Sequence, residues 1–392
     1  MTTFAACGCR LALTASLLFA LALSLAGCGT RPGSIALVPV EASVPGAKLV
    51  TVYVATDRER LGPSDGKPDA GFGSGRARDL AYAEFTISIP PGHESGRVEW
   101  FERQPGPDKS FATVRRRPLT EAEFRNGLAT RVAKASPASV EGKPGEVAVF
   151  VHGYNYSLQE GLFRLAQLTS DSGGGTVPVL FSWPSEAAVT GYVADRDAVT
   201  FSRDHLVKLL STVHEVPGVR KTTLIGHSMG GWLVVESLRQ LRLLKHDPVL
   251  AGLDVVLAAP DIDVDVFRTQ METLGSMKRP LMILVSQDDR ALAVSSRVAG
   301  GRPRIGAIDV QDPRSLEIAR RFDLRIVDIS TLSASDRLNH DRFVAFASVY
   351  ASTADVAGEP NGLRQAGAYV FNAAGAAIAS PFTLVGGALA GR

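Results

Sequence analysis

Residues 222–244 read TTLIGHSMGGWLVVESLRQLRLL, and this stretch decides the fold. The apolar run from Thr222 to Ile225 ends in Gly226-His227-Ser228-Met229-Gly230, and a helical period follows to Leu244. A strand that turns into a helix around G-x-S-x-G is a nucleophile elbow, in which a tight turn lifts the serine hydroxyl above the sheet edge. The flanking glycines are required because side chains there would meet the adjoining strand and helix. The helix N-terminus beneath Ser228 favours negative charge developing at that point.

Runs of the same kind lie on both sides of the elbow. Residues 147–151, 177–181, 255–258 and 281–285 are continuously apolar, as strands buried on both faces must be, and 324–327 repeats the pattern with Arg325 inside it. Helical periods separate them, at 158–169, 196–215, 229–244, 262–274, 291–299 and 341–350. This alternation predicts an α/β fold with a mostly parallel central sheet and helices on both faces. Upstream, 49–54 is rich in β-branched residues, and 83–89 alternates and stops at Pro90-Pro91. These predict N-terminal antiparallel strands, with 98–101 as a further pairing segment. Residues 61–79 read as a loop, and 104–145 as a polar insertion with a short helix near 121–126. The triplet Arg115-Arg116-Arg117 reads as a solvated face rather than a phosphate site. There is no internal repeat.

Composition narrows the function classes. The 392 residues carry 42 Lys and Arg against 40 Asp and Glu, a net charge of +2. Nucleic-acid binding needs a large local excess of cations, so no nucleic-acid partner is expected. With 45% hydrophobic and 21% charged residues the chain is ordinary globular material, not a disordered tail.

The first segment is set aside before the fold is read. Arg10 is the only charged residue before Arg31, and the apolar stretch from Leu11 ends in Leu25-Ala26-Gly27-Cys28. That ending resembles a bacterial lipobox. The resemblance implies a signal peptide over 1–27, cleavage before Cys28, and a lipid on that residue that holds the chain to a membrane. Gly29 favours the outer membrane by the same resemblance. Of the three cysteines, Cys7 and Cys9 leave with the leader and Cys28 carries the lipid, so no disulfide or cysteine nucleophile remains. Residues 28–47 read as a tether, 48–350 as the main domain, and 351–392 as an Ala/Gly-rich tail, weakly ordered or packed on the surface.

The chemistry follows from Ser228. In this architecture the acid and then the histidine come after the nucleophile. Of seven histidines, His340 alone lies beyond His246, which is too close to Ser228. Asp289, ending the strand 281–285, is the first choice for the acid, with Asp288 second. Asp261 and Asp263, after the strand 253–259, are further alternatives. The run of Asp261, Asp263 and Asp265 with Glu272 resembles a calcium loop, but Val266 stands where glycine is required. No metal or organic cofactor is expected. In Phe150-Val151-His152-Gly153-Tyr154-Asn155, the Tyr154 N–H joins that of Met229 as an oxyanion donor, with His152 holding the loop. Tyr156 and Trp183 are candidate pocket walls.

The runs FVHGYN, FSWPS, GHSMGGWLVVESLRQL, LAAPDIDVDVF and VSQDDRAL, with Ala55-Thr56-Asp57-Arg58, resemble a bacterial family of α/β-hydrolases of unknown function in the esterase/lipase superfamily. The resemblance covers about 49–350. It implies an α/β-hydrolase fold and a serine hydrolase acting on a small-molecule or lipid ester, and supplies no particular substrate. The competing expectation is a binding or scaffolding lipoprotein that keeps the fold without the activity. Oligomeric state is not legible.

Overall fold

The computed structural model describes residues 31–40, 44–62, 71–134, 145–353 and 369–371. The leader, Cys28, Gly29 and most of the 351–392 tail lie outside the described residues. Ten strands form one sheet: β1 Lys48–Arg60, β2 Phe72–Ile89, β3 Ala112–Leu119, β4 Glu146–Val151, β5 Val177–Ser182, β6 Lys221–His227, β7 Leu253–Ala258, β8 Leu281–Val285, β9 Leu324–Asp328 and β10 Tyr369–Phe371. Their order is β10-β9-β8-β7-β6-β4-β5-β1-β2-β3. From β9 to β1 every pairing is parallel. The two ends are antiparallel, with β2 and β3 beyond β1 and β10 beside β9. The α/β architecture expected from the apolar runs is the one that forms.

The helices are α1 Glu121–Lys134, α2 Leu158–Asp171, α3 Tyr192–His214, α4 Met229–Leu243, α5 Asp247–Ala251, α6 Val264–Leu274, α7 Arg290–Val298, α8 Pro313–Phe322 and α9 Arg342–Thr353. All six residues of β5 and all five of β8 are buried, which is why those runs are continuously apolar. One core, containing Phe124, Leu206, Leu233, Phe267 and Phe322, lies under α1, α3, α4, α6 and α8. The other, containing Leu162, Phe163, Phe343 and Phe346, lies under α2 and α9. Helix α2 starts on a capping box in which Ser157 and Glu160 bond reciprocally. No described helix is long and apolar enough to cross a membrane.

The N-terminal third departs from the sequence reading. The third antiparallel strand is Ala112–Leu119, not 98–101. It is an edge strand with one wet face, so its arginines hid it. Arg115 and Arg117 stand opposite Thr86 and Glu84, and Arg117 lies 3.7 Å from Glu84. The 61–79 loop is shorter than expected, because β1 runs to Arg60 and β2 starts at Phe72. The helix after β3 is longer, reaching Lys134. The tether reading of 28–47 also gives way where the chain is described. A short 3-10 turn, Ser34–Leu37, buries Ala36 and Leu37. The Thr113 hydroxyl donates to the Ala36 carbonyl at 2.7 Å, and the Val40 N–H donates to the Thr113 carbonyl at 2.9 Å. Within the tail, 369–371 adds a short strand to β9.

Candidate active site

Strand β4 is the point where the sheet order reverses, with β5 on one side and β6 on the other. The loops leaving the carboxyl ends of β4 and β6 therefore part, and such a crevice is where open α/β sheets bind ligands. Gly153 comes from the first loop and Ser228 from the second. A methyl group on Gly153 would sit 2.9 Å from Ser228 Cβ and 3.0 Å from His227 Nδ1, so the two loops touch only because Gly153 has no side chain.

Ser228 links β6 to α4 with φ 55° and ψ −122°. A non-glycine residue in that region costs about 1–3 kcal/mol and persists only where the surroundings impose it. Here the Ser228 N–H donates to Ala258 O at 2.9 Å, and Ser228 O accepts from Gly231 at 2.9 Å and Asp261 at 3.1 Å. A Cβ on Gly230 would lie 2.3 Å from the His152 carbonyl oxygen, and one on Gly226 would lie 2.8 Å from Gly231 Cα. These glycines permit the close approach of β4, β6 and α4 that forces the turn.

His340 arrives on the loop after β9. Its Nδ1 lies 2.6 Å from Asp289 Oδ2, and its backbone N–H donates to Asp336 at 2.9 Å. Asp289 is buried and also caps α7, its Oδ1 accepting the Leu292 N–H at 2.9 Å. One oxygen is thus fixed by the helix end and the other by the imidazole. Burial pulls the His340 pKa down, but the hydrogen bond and charge of Asp289 more than offset this, and the pKa is raised above the ordinary imidazole value. With Nδ1–H given to Asp289, Nε2 is the basic nitrogen. His227 packs on His340 with ring centroids 4.7 Å apart. Burial, then the charge of His340, pushes the His227 pKa well down, so it stays neutral. The Ser228 hydroxyl makes none of the described hydrogen bonds; such contacts are often loose before substrate binds.

The other carboxylates singled out from sequence go elsewhere. Asp288 is clasped by Arg342 rather than Arg290, and accepts from Ser286 and Asn339, each at 2.9 Å. The Arg342 hydrogen bond above all lowers its pKa. Asp261 lies 3.2 Å from Arg304 and accepts from Tyr192 at 3.0 Å and Ser295 at 2.5 Å. Asp263 caps α6, accepting the Asp265 and Val266 N–H groups. None of the three meets His340.

Among the described residues, no hydrogen bond uses the N–H of Tyr154 or Met229. Trp183 is wholly buried, with its indole N–H on His152 O at 2.7 Å and its ring stacked on the His152 ring at 4.9 Å. It supports the loop from behind and is no pocket wall. Tyr156 is half-buried, between the His152 and His227 rings. His152 bonds Gly153 O and Ser182, and burial first, then the charge of Arg58, lowers its pKa to about 3. A neutral His152 therefore holds the loop.

Sequence reasoning missed the strut beneath this loop. Arg58, from β1, is 2% exposed, and burial lowers its pKa to about 10. Its guanidinium donates to Tyr156 O at 2.7 Å, Ser182 Oγ at 2.9 Å and Ser185 O at 3.0 Å. Asp195, on α3, accepts from Ser185 Oγ at 2.6 Å, Glu186 N at 2.7 Å and Asn155 N at 3.1 Å. It thereby pins Asn155 at φ 63°, beside Tyr154. The signal was present in Ala55-Thr56-Asp57-Arg58, where two charges end an apolar strand.

A serine on a left-handed strand-to-helix turn, at the reversal of a parallel sheet with a paired histidine and aspartate beside it, defines an α/β-hydrolase. The family described as alpha/beta hydrolase of unknown function (DUF900) matches residues 129–358, and the chain belongs to it. A crystal structure of a protein from Agrobacterium vitis S4, provisionally described as a hydrolase, is similar at 14% identity. It covers 63% of this chain and 93% of its own, with a TM-score of 0.28, so the fold assignment rests on sheet order and family instead. No curated protein matches.

Proposed function

We propose that the protein is a serine hydrolase of carboxylic esters, held in the cell envelope by a lipid on Cys28. Ser228 Oγ attacks the ester carbonyl while His340 Nε2 takes its proton. Asp289 holds the imidazole in the required tautomer and stabilises the imidazolium. The N–H groups of Tyr154 and Met229 hold the oxyanion. Collapse expels the alcohol, protonated by His340, and leaves an acyl-enzyme. Water, deprotonated by His340, then adds to the acyl carbon, and the acid is released as His340 returns the proton to the departing Ser228 Oγ. An ester makes the smallest demand on the acid step, because an alkoxide leaves far more readily than an amide anion.

The observation that supports this best is the 2.6 Å contact between His340 and Asp289 beside the strained elbow of Ser228. A fluorophosphonate should form an adduct on Ser228, located by peptide mass spectrometry, and S228A should lose ester turnover by roughly 10⁴-fold or more. A folded wild-type chain that takes no label and turns over no ester of any chain length would support the non-catalytic lipoprotein instead. C28A should lose incorporation of labelled fatty acid; undiminished labelling would remove the anchor from the proposal.

A further inference from the structure

The N-terminal segment does not leave the domain at an arbitrary place. Arg31 donates to the carbonyls of Asn155, at 2.6 Å, and Ala187. It also lies 3.6 Å from Glu160, and Gln159 holds the Pro32 carbonyl at 2.6 Å. Asn155 follows the oxyanion residue Tyr154. The described chain therefore begins at the mouth of the candidate site. Cys28 is three residues before Arg31, a reach of at most about 11 Å.

The same mouth carries an apolar rim. Val189, Val193, Val294, Val298 and Leu338 are between 48% and 73% exposed. The Tyr154 hydroxyl donates to Val189 O. Val193 follows Tyr192, whose hydroxyl meets Ser295, the residue after Val294, at 2.8 Å. Leu338 O accepts the N–H of Arg290 and is two residues from His340. Helix α7 buries only Leu292 and Ser295. Its outward face presents Arg290, Val294, Arg297 and Val298. Single exposed aliphatics are ordinary on any surface. Aliphatics gathered on the segments that adjoin Tyr154, Tyr192 and His340, interleaved with arginines that can reach phosphate headgroups, make an interfacial surface.

From the exit point and the rim together, we infer that the mouth of the site rests on the bilayer and that its substrate is an ester lipid drawn from that bilayer. This rests on the esterase reading and the lipid on Cys28. The anchor keeps the Arg31 backbone within about 11 Å of Cys28, and the Arg31 side chain ties that point to the loop carrying Asn155. The rim sinks into the headgroup layer, where the acyl ester linkages of lipids lie, and a lipid enters without crossing water. The reaction is the hydrolysis already written, with the lipid acyl group passing to Ser228 and then to water.

The test uses the full lipidated chain on vesicles of phosphatidylethanolamine and phosphatidylglycerol. Nitroxides are placed by V193C or V298C at the rim, and by L244C just past the far end of α4, about 24 Å from Ser228. The rim labels should become shielded from aqueous nickel and open to oxygen, while the L244C label stays in water. Rim labels as water-accessible as the L244C label, or a wild-type chain that does not hold to vesicles, would overturn the inference. V193D combined with V298D should lower hydrolysis of vesicle lipid about tenfold or more, and that of a short soluble ester by less than about twofold. A wild-type chain that cleaves soluble esters but no bilayer lipid removes the substrate assignment. Failure on both substrates with no fluorophosphonate adduct condemns the esterase reading itself, and the depth measurement still reports whether the mouth meets the bilayer.

Discussion

Asp288 and Asp289 are neighbours in the chain and serve opposite partners. Asp289 Oδ2 meets His340 Nδ1 at 2.6 Å, while Asp288 is held by the guanidinium of Arg342. Residue 289 opens α7, so its side chain must turn back over the helix N-terminus, and that brings it to the loop holding His340.

D289N should therefore keep the fold and lose roughly 10⁴-fold in kcat, because an amide selects the wrong imidazole tautomer. D288N and D263N should cost far less. D261A should act on stability, since it leaves Arg304 buried without its partner, a loss of about 3–5 kcal/mol. Ester turnover and thermal unfolding on the four variants separate these outcomes. Near-normal kcat in D289N would falsify the assignment.

The pH dependence follows from the raised pKa of His340. The base must be neutral in the free enzyme, so kcat/KM falls as pH drops through that pKa. The acid limb should lie above about 6.5, the ordinary imidazole value. In D289N the residual activity should have its limb at lower pH, because the hydrogen bond and charge that raise the pKa are gone. A limb in the same place in both proteins would show that another group governs it.

G230A probes the elbow without touching a reacting group. Its methyl would meet backbone carbonyl oxygens at 2.3 Å and 2.5 Å, and neither can swing aside as a side chain would. Overpacking of this kind costs about 1–3 kcal/mol or more. The expected result is a lower urea midpoint together with a fall in kcat. Unchanged values of both would mean that β4 and α4 yield more easily than their packing implies.

His93 gives a stability signature away from the site. It lies 2.8 Å from both Glu99 and Asp171. Burial lowers its pKa, the two carboxylates more than restore it, and the folded value stands above the unfolded one. The stabilisation is complete below about pH 6.5 and is lost as pH rises through the folded pKa. The difference in unfolding free energy between S228A and S228A/H93Q should shrink between about pH 6 and about pH 9. A difference that grows over that range would contradict the sign.

The parallel half of the sheet was legible because its central strands are buried on both faces and leave few polar positions, as in β5 and β8. The strained turn at Ser228 was legible because such a turn imposes glycines, and His340 stood out as the partner for a carboxylate because the chain offers few histidines. Choosing among Asp261, Asp263, Asp288 and Asp289 needed coordinates, since all four follow buried strands and only spatial loop proximity tells them apart. Strand β3 was missed because an edge strand can carry three arginines at no loss of burial. Residues 28–47 read as a tether from their prolines and glycines, although Ala36 and Leu37 seat the described part on the core. Arg58 was not seen as part of the site because its partners, Ser182, Ser185 and Tyr156, lie about a hundred residues or more away.

The position of Arg58 bears on how small a working version of this protein can be. The family match starts at residue 129, yet the strut under the loop after β4 comes from β1, seventy-one residues earlier. A fragment trimmed to the matched region would strip the neighbour strand from β5, uncover the backbone edge it occupied, and leave Asp195, whose pKa burial already raises, without the Arg58 charge that partly offsets that rise. The matched region is thus mechanically incomplete. An expression clone meant to keep the candidate site intact has to begin before Lys48, and a gene fusion or domain transplant cut at 129 would carry Ser228 without the Arg58 frame beneath the loop of Tyr154 and Tyr156.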